Sequence, residues 1–321
     1  MLQYIAAVIG GLVVLIWSAD RFVLGASGTA RNLGMSTLVI GLTVVAIGTS
    51  APELMISSLA AFQGNPQLAI GNALGSNIAN IALILGVTAA LAPVPVRSQT
   101  LRRELPLLMG VMVYAYLILA DRHLSIIDGV LLLGGLALLL VWLIRAANRA
   151  DTQDPMRQEL ESEIPADMPL GRAIFWLALG LGLLLASSQA LVWGASNIAS
   201  ALGVSDLVIG LTIVAVGTSL PELAAAVASV RKNEHDLAVG NVIGSNFFNT
   251  LGVIGIPAII HPGAVAPEAV DRDLMINIGL TVLMVAMAYG LRQQSRILRA
   301  EGVILLTCFG AYQTMLFFNA N

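Results

Sequence analysis

Charge is the first thing this sequence lacks. Of its 321 residues only 11% are Asp, Glu, Lys or Arg, less than half the share of about 25% usual in a soluble domain. Hydrophobic residues make up 57% of the chain and the mean hydropathy is +0.87. A chain so short of polar groups cannot clothe its outside with them, and lipid is the solvent such a surface suits. The net charge of −3 excludes the basic face that nucleic acid needs. There is one cysteine, Cys308, within an apolar run, which excludes a disulfide framework and a thiolate metal cage and leaves packing as its role. The three histidines, His123, His235 and His261, fall at loops or span ends. There is no His-Glu-x-x-His, and no Ser–His or Cys–His pair at matching depth, so the chain is not expected to be an enzyme. A cleavable signal peptide is not evident, because the first apolar run passes signal-peptide length without a small-residue cleavage site.

What is present is a series of apolar runs. A helix needs about 20 such residues to span a bilayer, and ten segments qualify, near 2–24, 37–62, 69–91, 104–120, 125–146, 171–194, 205–230, 238–260, 271–290 and 299–318. The expected fold is an all-α integral membrane protein of ten transmembrane helices. One long polar interruption, with Asp151, Asp154, Glu159, Glu161, Glu163 and Asp167, reads as a solvated linker over 148–170; its spacing is not that of an EF-hand. With ten spans, both termini lie on one side. Of 16 basic residues only Arg122 and Arg272 fall on that side, leaving 14 for the other. The positive-inside rule makes the richer side cytoplasmic, so the termini are expected outside, in a cell (inner) membrane.

The chain also repeats itself. Shifting Gly25–Gly86 by 169 residues onto Gly194–Gly255 matches roughly half the positions without a gap. Leu38-Val39-Ile40-Gly41-Leu42-Thr43 recurs as Leu207-Val208-Ile209-Gly210-Leu211-Thr212, and Gly48-Thr49-Ser50-Ala51-Pro52-Glu53 recurs as Gly217-Thr218-Ser219-Leu220-Pro221-Glu222. Gly71-Asn72 and Gly75-Ser76-Asn77 return as Gly240-Asn241 and Gly244-Ser245-Asn246. Five spans is an odd number, so the halves, residues 1–147 and 171–321, enter the membrane in opposite senses. Inverted repeats of this kind build secondary transporters, with the site where broken helices meet near the midplane.

Glu53 and Glu222 lie deep in the second and seventh spans. A carboxylate at that depth costs several kcal/mol unless it is paired, hydrated or coordinated, and neither span offers a Lys or Arg inside the membrane. Two related, uncompensated glutamates call for a cation; the bland alternative is a pair of protonated structural groups. The neighbours favour the cation. Pro52 and Pro221 lack an amide hydrogen and free carbonyls one turn back, beside Gly48 and Gly217. Irregular backbone at this depth is tolerated only inside protein or along a hydrated cavity. The carbonyls of Ala46 and Gly48, the hydroxyls of Thr49 and Ser50, and Glu53 can therefore face one space. Ala215, Gly217, Thr218, Ser219 and Glu222 repeat the set from the other direction. An all-oxygen site suits hard cations such as sodium and calcium. Ser76 and Asn80 share a helix face, as do Ser245 and Asn249, and amides in apolar spans need partners. The glycines of these spans read as packing contacts.

The pair of motifs Gly-Thr-Ser-x-Pro-Glu and Gly-Asn-x-x-Gly-Ser-Asn-x-x-Asn, present in both halves, resembles the alpha repeats of the calcium/cation antiporter superfamily, and most closely the prokaryotic sodium/calcium exchangers. The resemblance implies that the residues at Glu53, Asn80, Glu222 and Asn249 coordinate ions, helped by those at Ala46, Thr49, Ser50, Ser76, Ala215, Thr218, Ser219 and Ser245. It implies a secondary antiporter using a sodium gradient to expel calcium, with access alternating as the first and sixth helices slide over the rest. A proton-coupled antiporter of calcium or another cation is the close variant, and a cation channel the reading from another class. No cofactor is implied; the partners are the transported cations and the bilayer, and the monomer suffices. One departure stands out: the family often has Asp where this chain has Asn249, so Glu53 and Glu222 supply −2, enough for one calcium or two sodium ions.

Overall fold

The computed structural model describes residues 1–35, 37–96, 101–149, 168–202, 215–289 and 296–319. The chain opens with a long helix, α1 (Leu2–Asn32). A broken pair follows: α2 (37–49), with a π-helical turn at Gly41–Val45, and α3 (Ala51–Phe62). Next come α4 (Pro66–Leu91), α5 (Leu101–Leu119) and α6 (Ile126–Arg149). The second half runs α7 (Leu170–Ala201), α8 (Ala215–Thr218), α9 (Leu220–Arg231), α10 (His235–Ile260), α11 (269–289) and α12 (Arg299–Asn319). Six of these helices are long and apolar enough to cross a membrane, and the bent pair α2–α3 would be a seventh. Charge explains why α5 falls short: Arg102, Arg103 and Glu104 crowd its first turn. The continuous part of α11, Met275–Tyr289, is only 15 residues. Most of the expected polar linker, residues 150–167, and the recurring Leu207–Thr212 stretch lie outside the described residues.

Burial separates the helices into two roles. In α4 and α10, 72% and 83% of the most apolar stretch is buried, against 22% in α1 and in α7. The first two are the axis of the molecule. The larger apolar core surrounds them, including Ile70, Leu74, Ile78, Ile81, Leu85, Ile243, Phe247, Leu251 and Ile254. A smaller core joins α1 and α7 to the broken helices through Phe22, Val23, Ile40, Val45 and Leu184. Helices α1 and α7 lie antiparallel along each other, and glycine lets them come close. A Cβ on Gly25 would strike the backbone of Leu177, and one on Gly180 the backbone of Phe22.

Irregularities recur at the repeat interval. The helix breaks after α2 and α8 fall at Ser50 and Ser219, with a bend of 52° between α2 and α3. The turn after α3 holds Gly64 at φ 76°, and the turn after α9 holds Asn233 at φ 61°. Helix α4 widens into a π-helical turn at Ala79–Leu85, and α10 at Asn249–Val253.

Two very short antiparallel strand pairs cross between the halves. Strand β1 (Val94–Pro95) pairs with β4 (Arg296–Ile297), and β2 (His123–Leu124) pairs with β3 (Gly263–Ala264). Near the second pair, the side-chain amide of Gln67 donates to the Ala264 carbonyl and accepts from Ala266 N–H, and Arg122 pairs with Asp271 at 2.8 Å.

Candidate cation site

The site is built on two helix breaks. Ser50 and Ser219 sit between helices with near-identical backbone angles, φ −82°, ψ 8° and φ −90°, ψ 5°. Each is followed two residues later by a proline in the first turn of the next helix, where a missing N–H does little harm to that helix. The harm falls on the carbonyl four residues earlier, Gly48 or Gly217. Glu53 and Glu222 then sit in the first turns of α3 and α9, where the unsatisfied amides of a helix start favour negative charge.

Both carboxylates are buried, at 1% and 2% exposure. The Ser50 hydroxyl donates to Glu222 Oε1 at 3.1 Å, and Ser76 reaches Glu53 Oε1 at 3.5 Å. Each glutamate keeps its other oxygen, Oε2, buried with no hydrogen-bond partner among the described residues. The same is true of Asn249 Oδ1, Asn80 Nδ2, Ser219 Oγ and Ser245 Oγ. Buried polar atoms nearly always find a partner, and a cluster of orphans marks the place of a water or an ion. Among the described residues no three of His, Cys, Asp and Glu gather into a metal-holding group.

The other expected ligands divide. Thr49 and Ser50 are fully buried, and Ala46 is too, its carbonyl accepting from Ser50 N–H at 3.0 Å. Thr218 is half-buried in α8. Ala215 opens the same helix, and only its backbone is described. The two freed carbonyls differ. Gly217 O accepts a hydrogen bond of 2.9 Å from the Ser188 hydroxyl of α7, which ties it to the neighbouring helix. The residue at the repeat position of Ser188 is Ala19, which has no hydroxyl to offer Gly48.

Further polar residues surround the site. Asn77 Nδ2 donates to Thr250 Oγ1 at 2.8 Å, joining α4 to α10. Asn72 Nδ2 donates to Ser57 Oγ and to the Glu53 carbonyl, at 3.0 and 3.1 Å. Asn241 Oδ1 lies 3.2 Å from Thr49 Oγ1. Asn72, Asn77 and Asn241 stand in the repeated motif, yet reading them from sequence as ligands or struts would have required the spacing of α4 from α3 and α10. Ser57, Ser188 and Thr250 carry no repeat signal, because their counterparts are Ala226, Ala19 and Ile81.

Comparison with known proteins places this geometry. A family model described as "Sodium/calcium exchanger protein" matches residues 3–145 and 172–318. The chain is 53% identical to the CaxA protein of Alkalimonas amylolytica over 97% of both chains. It is 42% identical to inner membrane protein YrbG of Escherichia coli strain K12, covering 99% of this chain and 98% of the other. Among solved structures, the sodium-calcium exchanger NCX_Mj soaked with zero Na+ and Ca2+ superposes with a TM-score of 0.84 at 31% identity, over 98% of this chain and 99% of that one.

Proposed function

Because the chain belongs to the sodium/calcium exchanger protein family, whose members are membrane cation exchangers and not enzymes, we propose that it exchanges sodium for calcium at Glu53 and Glu222. The observation that carries this reading is the pair of buried carboxylates, each with one oxygen lacking a partner among the described residues. Asn80, Asn249, Ser50, Thr49, Ser76, Ser219, Ser245 and Thr218, with the carbonyls of Ala46 and Ala215, are the neutral ligands in this reading. Two carboxylates balance one calcium or two sodium ions, so a two-for-one exchange keeps the buried charge constant. A third sodium ion would leave a surplus charge that burial makes costly.

The architecture proposed for this work is ten transmembrane helices in two inverted halves, 1–147 and 171–321, joined by a cytoplasmic linker at 148–170, with both termini outside the inner membrane. It is supported by the 169-residue repeat, by the recurrence of helix breaks and π-helical turns at that interval, and by the basic asymmetry of the loops. Access alternates as α1 and α7 slide together across the core. Their shallow burial and their long mutual contact at Gly25 and Gly180 suit a pair that moves as one body.

Calcium-45 uptake into proteoliposomes of the purified chain, with an outward sodium gradient imposed or absent, tests the proposal. Uptake that requires internal sodium supports it. Uptake driven by internal protons alone identifies the proton-coupled variant, for which Asn249, with its missing charge, is the favouring observation. Uptake with no counter-ion makes the protein a channel.

A further inference from the structure

We infer that Asn241 is a positioning residue for the transported cation, acting through the hydroxyl of Thr49; the inference rests on the site proposed above. The starting point is a broken symmetry. Asn72, the counterpart of Asn241, spends its amide hydrogens within its own half, on Ser57 Oγ and the Glu53 carbonyl. The counterpart of Ser57 is Ala226, so that hydroxyl is missing in the second half. Asn241 reaches instead into the first half, where its Oδ1 stands 3.2 Å from Thr49 Oγ1. Its Nδ2 is buried without an acceptor, in a residue only 1% exposed.

Thr49 has one hydroxyl proton and more than one acceptor in reach: Val45 O at 3.1 Å, Ala46 O at 3.5 Å and Asn241 Oδ1 at 3.2 Å, with the Glu222 carboxylate also beside it. Giving the proton to Val45 sets the lone pairs of Thr49 and Asn241 against each other. Two arrangements avoid this. In one, Thr49 donates to Asn241 Oδ1. In the other, the amide is turned over, Nδ2 donates to Thr49 Oγ1, and Thr49 donates to Val45 O; this also gives the orphaned NH2 an acceptor. In both, Asn241 decides where the lone pairs of Thr49 point. Glycine brings the two helices close here, since a Cβ on Gly41 would strike the Leu237 carbonyl and one on Gly244 the Leu42 carbonyl. The residue therefore sets the direction of one ligand oxygen without itself needing to touch the ion.

The test is a double-mutant cycle of Asn241→Ala and Thr49→Val, read as half-saturating calcium in sodium-driven calcium-45 uptake. Each single change is expected to raise half-saturation about tenfold, the scale of one lost buried hydrogen bond. The double variant should match the single ones, because the two residues act through one bond. Ser187→Ala, whose hydroxyl bonds to Leu184 O of its own helix, should leave half-saturation unchanged. If Asn241→Ala does not yield folded protein, Asn241→Ser carries the same cycle. Additive effects, or parental half-saturation in the Asn241 variant, overturn the inference. Parental exchange by Glu53→Gln and Glu222→Gln instead overturns the site itself.

Discussion

The hydroxyl of Ser50 donates to Oε1 of Glu222 at 3.1 Å, across 172 residues of sequence and from one half of the molecule to the other. The break in the first half thus holds the carboxylate of the second. In a Glu222→Gln background the bond changes character, so Ser50→Ala should weaken calcium binding by about fivefold to tenfold in the parent and add little to the Gln variant. Equilibrium calcium-45 binding to the four purified proteins checks this.

Glu53→Gln and Glu222→Gln each remove half the formal negative charge facing a desolvated divalent ion. Both should abolish sodium-driven calcium uptake while the protein still purifies as a folded species, because an amide can occupy the same space and accept the same hydroxyl. Parental flux from either variant rules out the site.

Asn249→Asp adds a third carboxyl beside Glu53 and Glu222. Its ionised form holds calcium more tightly than its neutral form, which is close in shape to asparagine. Calcium affinity in the variant should therefore rise more steeply with pH than in the parent, between roughly pH 5 and 8. Binding curves at fixed sodium that run parallel for the two proteins would remove Asn249 from the site.

The Ser188 hydroxyl serves a carbonyl, Gly217 O, that Pro221 has deprived of its helical donor. Ser188→Ala should cost about 1–3 kcal/mol, the penalty for a buried acceptor left unmade, and lower the thermal unfolding midpoint. Ser187→Ala is the control. That hydroxyl bonds only to Leu184 of its own helix, and its loss should shift the midpoint little.

The orientation rests on the 14 basic residues assigned to one side. A reporter active only in the cytoplasm, fused after Asn321, should be silent in a stable full-length protein. Activity of that fusion would reverse either the span count or the orientation.

The sequence was most informative where chemistry is costly. A glutamate following a proline inside an apolar run, twice and 169 residues apart, has few physical explanations, and both Glu53 and Glu222 are buried. Helices were legible for the same reason, since long apolar runs leave the backbone no partner but itself. What was not legible depends on which residue faces which across the halves. Nothing in the spacing shows that Gly217 O belongs to Ser188, because the repeat pairs Ser188 with Ala19. Nor does it show that Asn77 bonds Thr250, whose counterpart is Ile81. The π-helical turns at Asn80 and Asn249 leave no mark in the apolar pattern either. Strands of two residues are too short to have a period.

Those short strands carry a consequence of their own. Among the described residues strand β1 pairs with β4 and β2 with β3, so each half carries edges that the other half completes. A fragment ending at residue 149 presents β1 and β2 unpaired, and a fragment starting at residue 168 presents β3 and β4. The two fragments are complementary parts of one closure. Made together as separate chains, they carry everything needed to seal both strand pairs. Made alone, each exposes open strand edges that invite a second copy of itself.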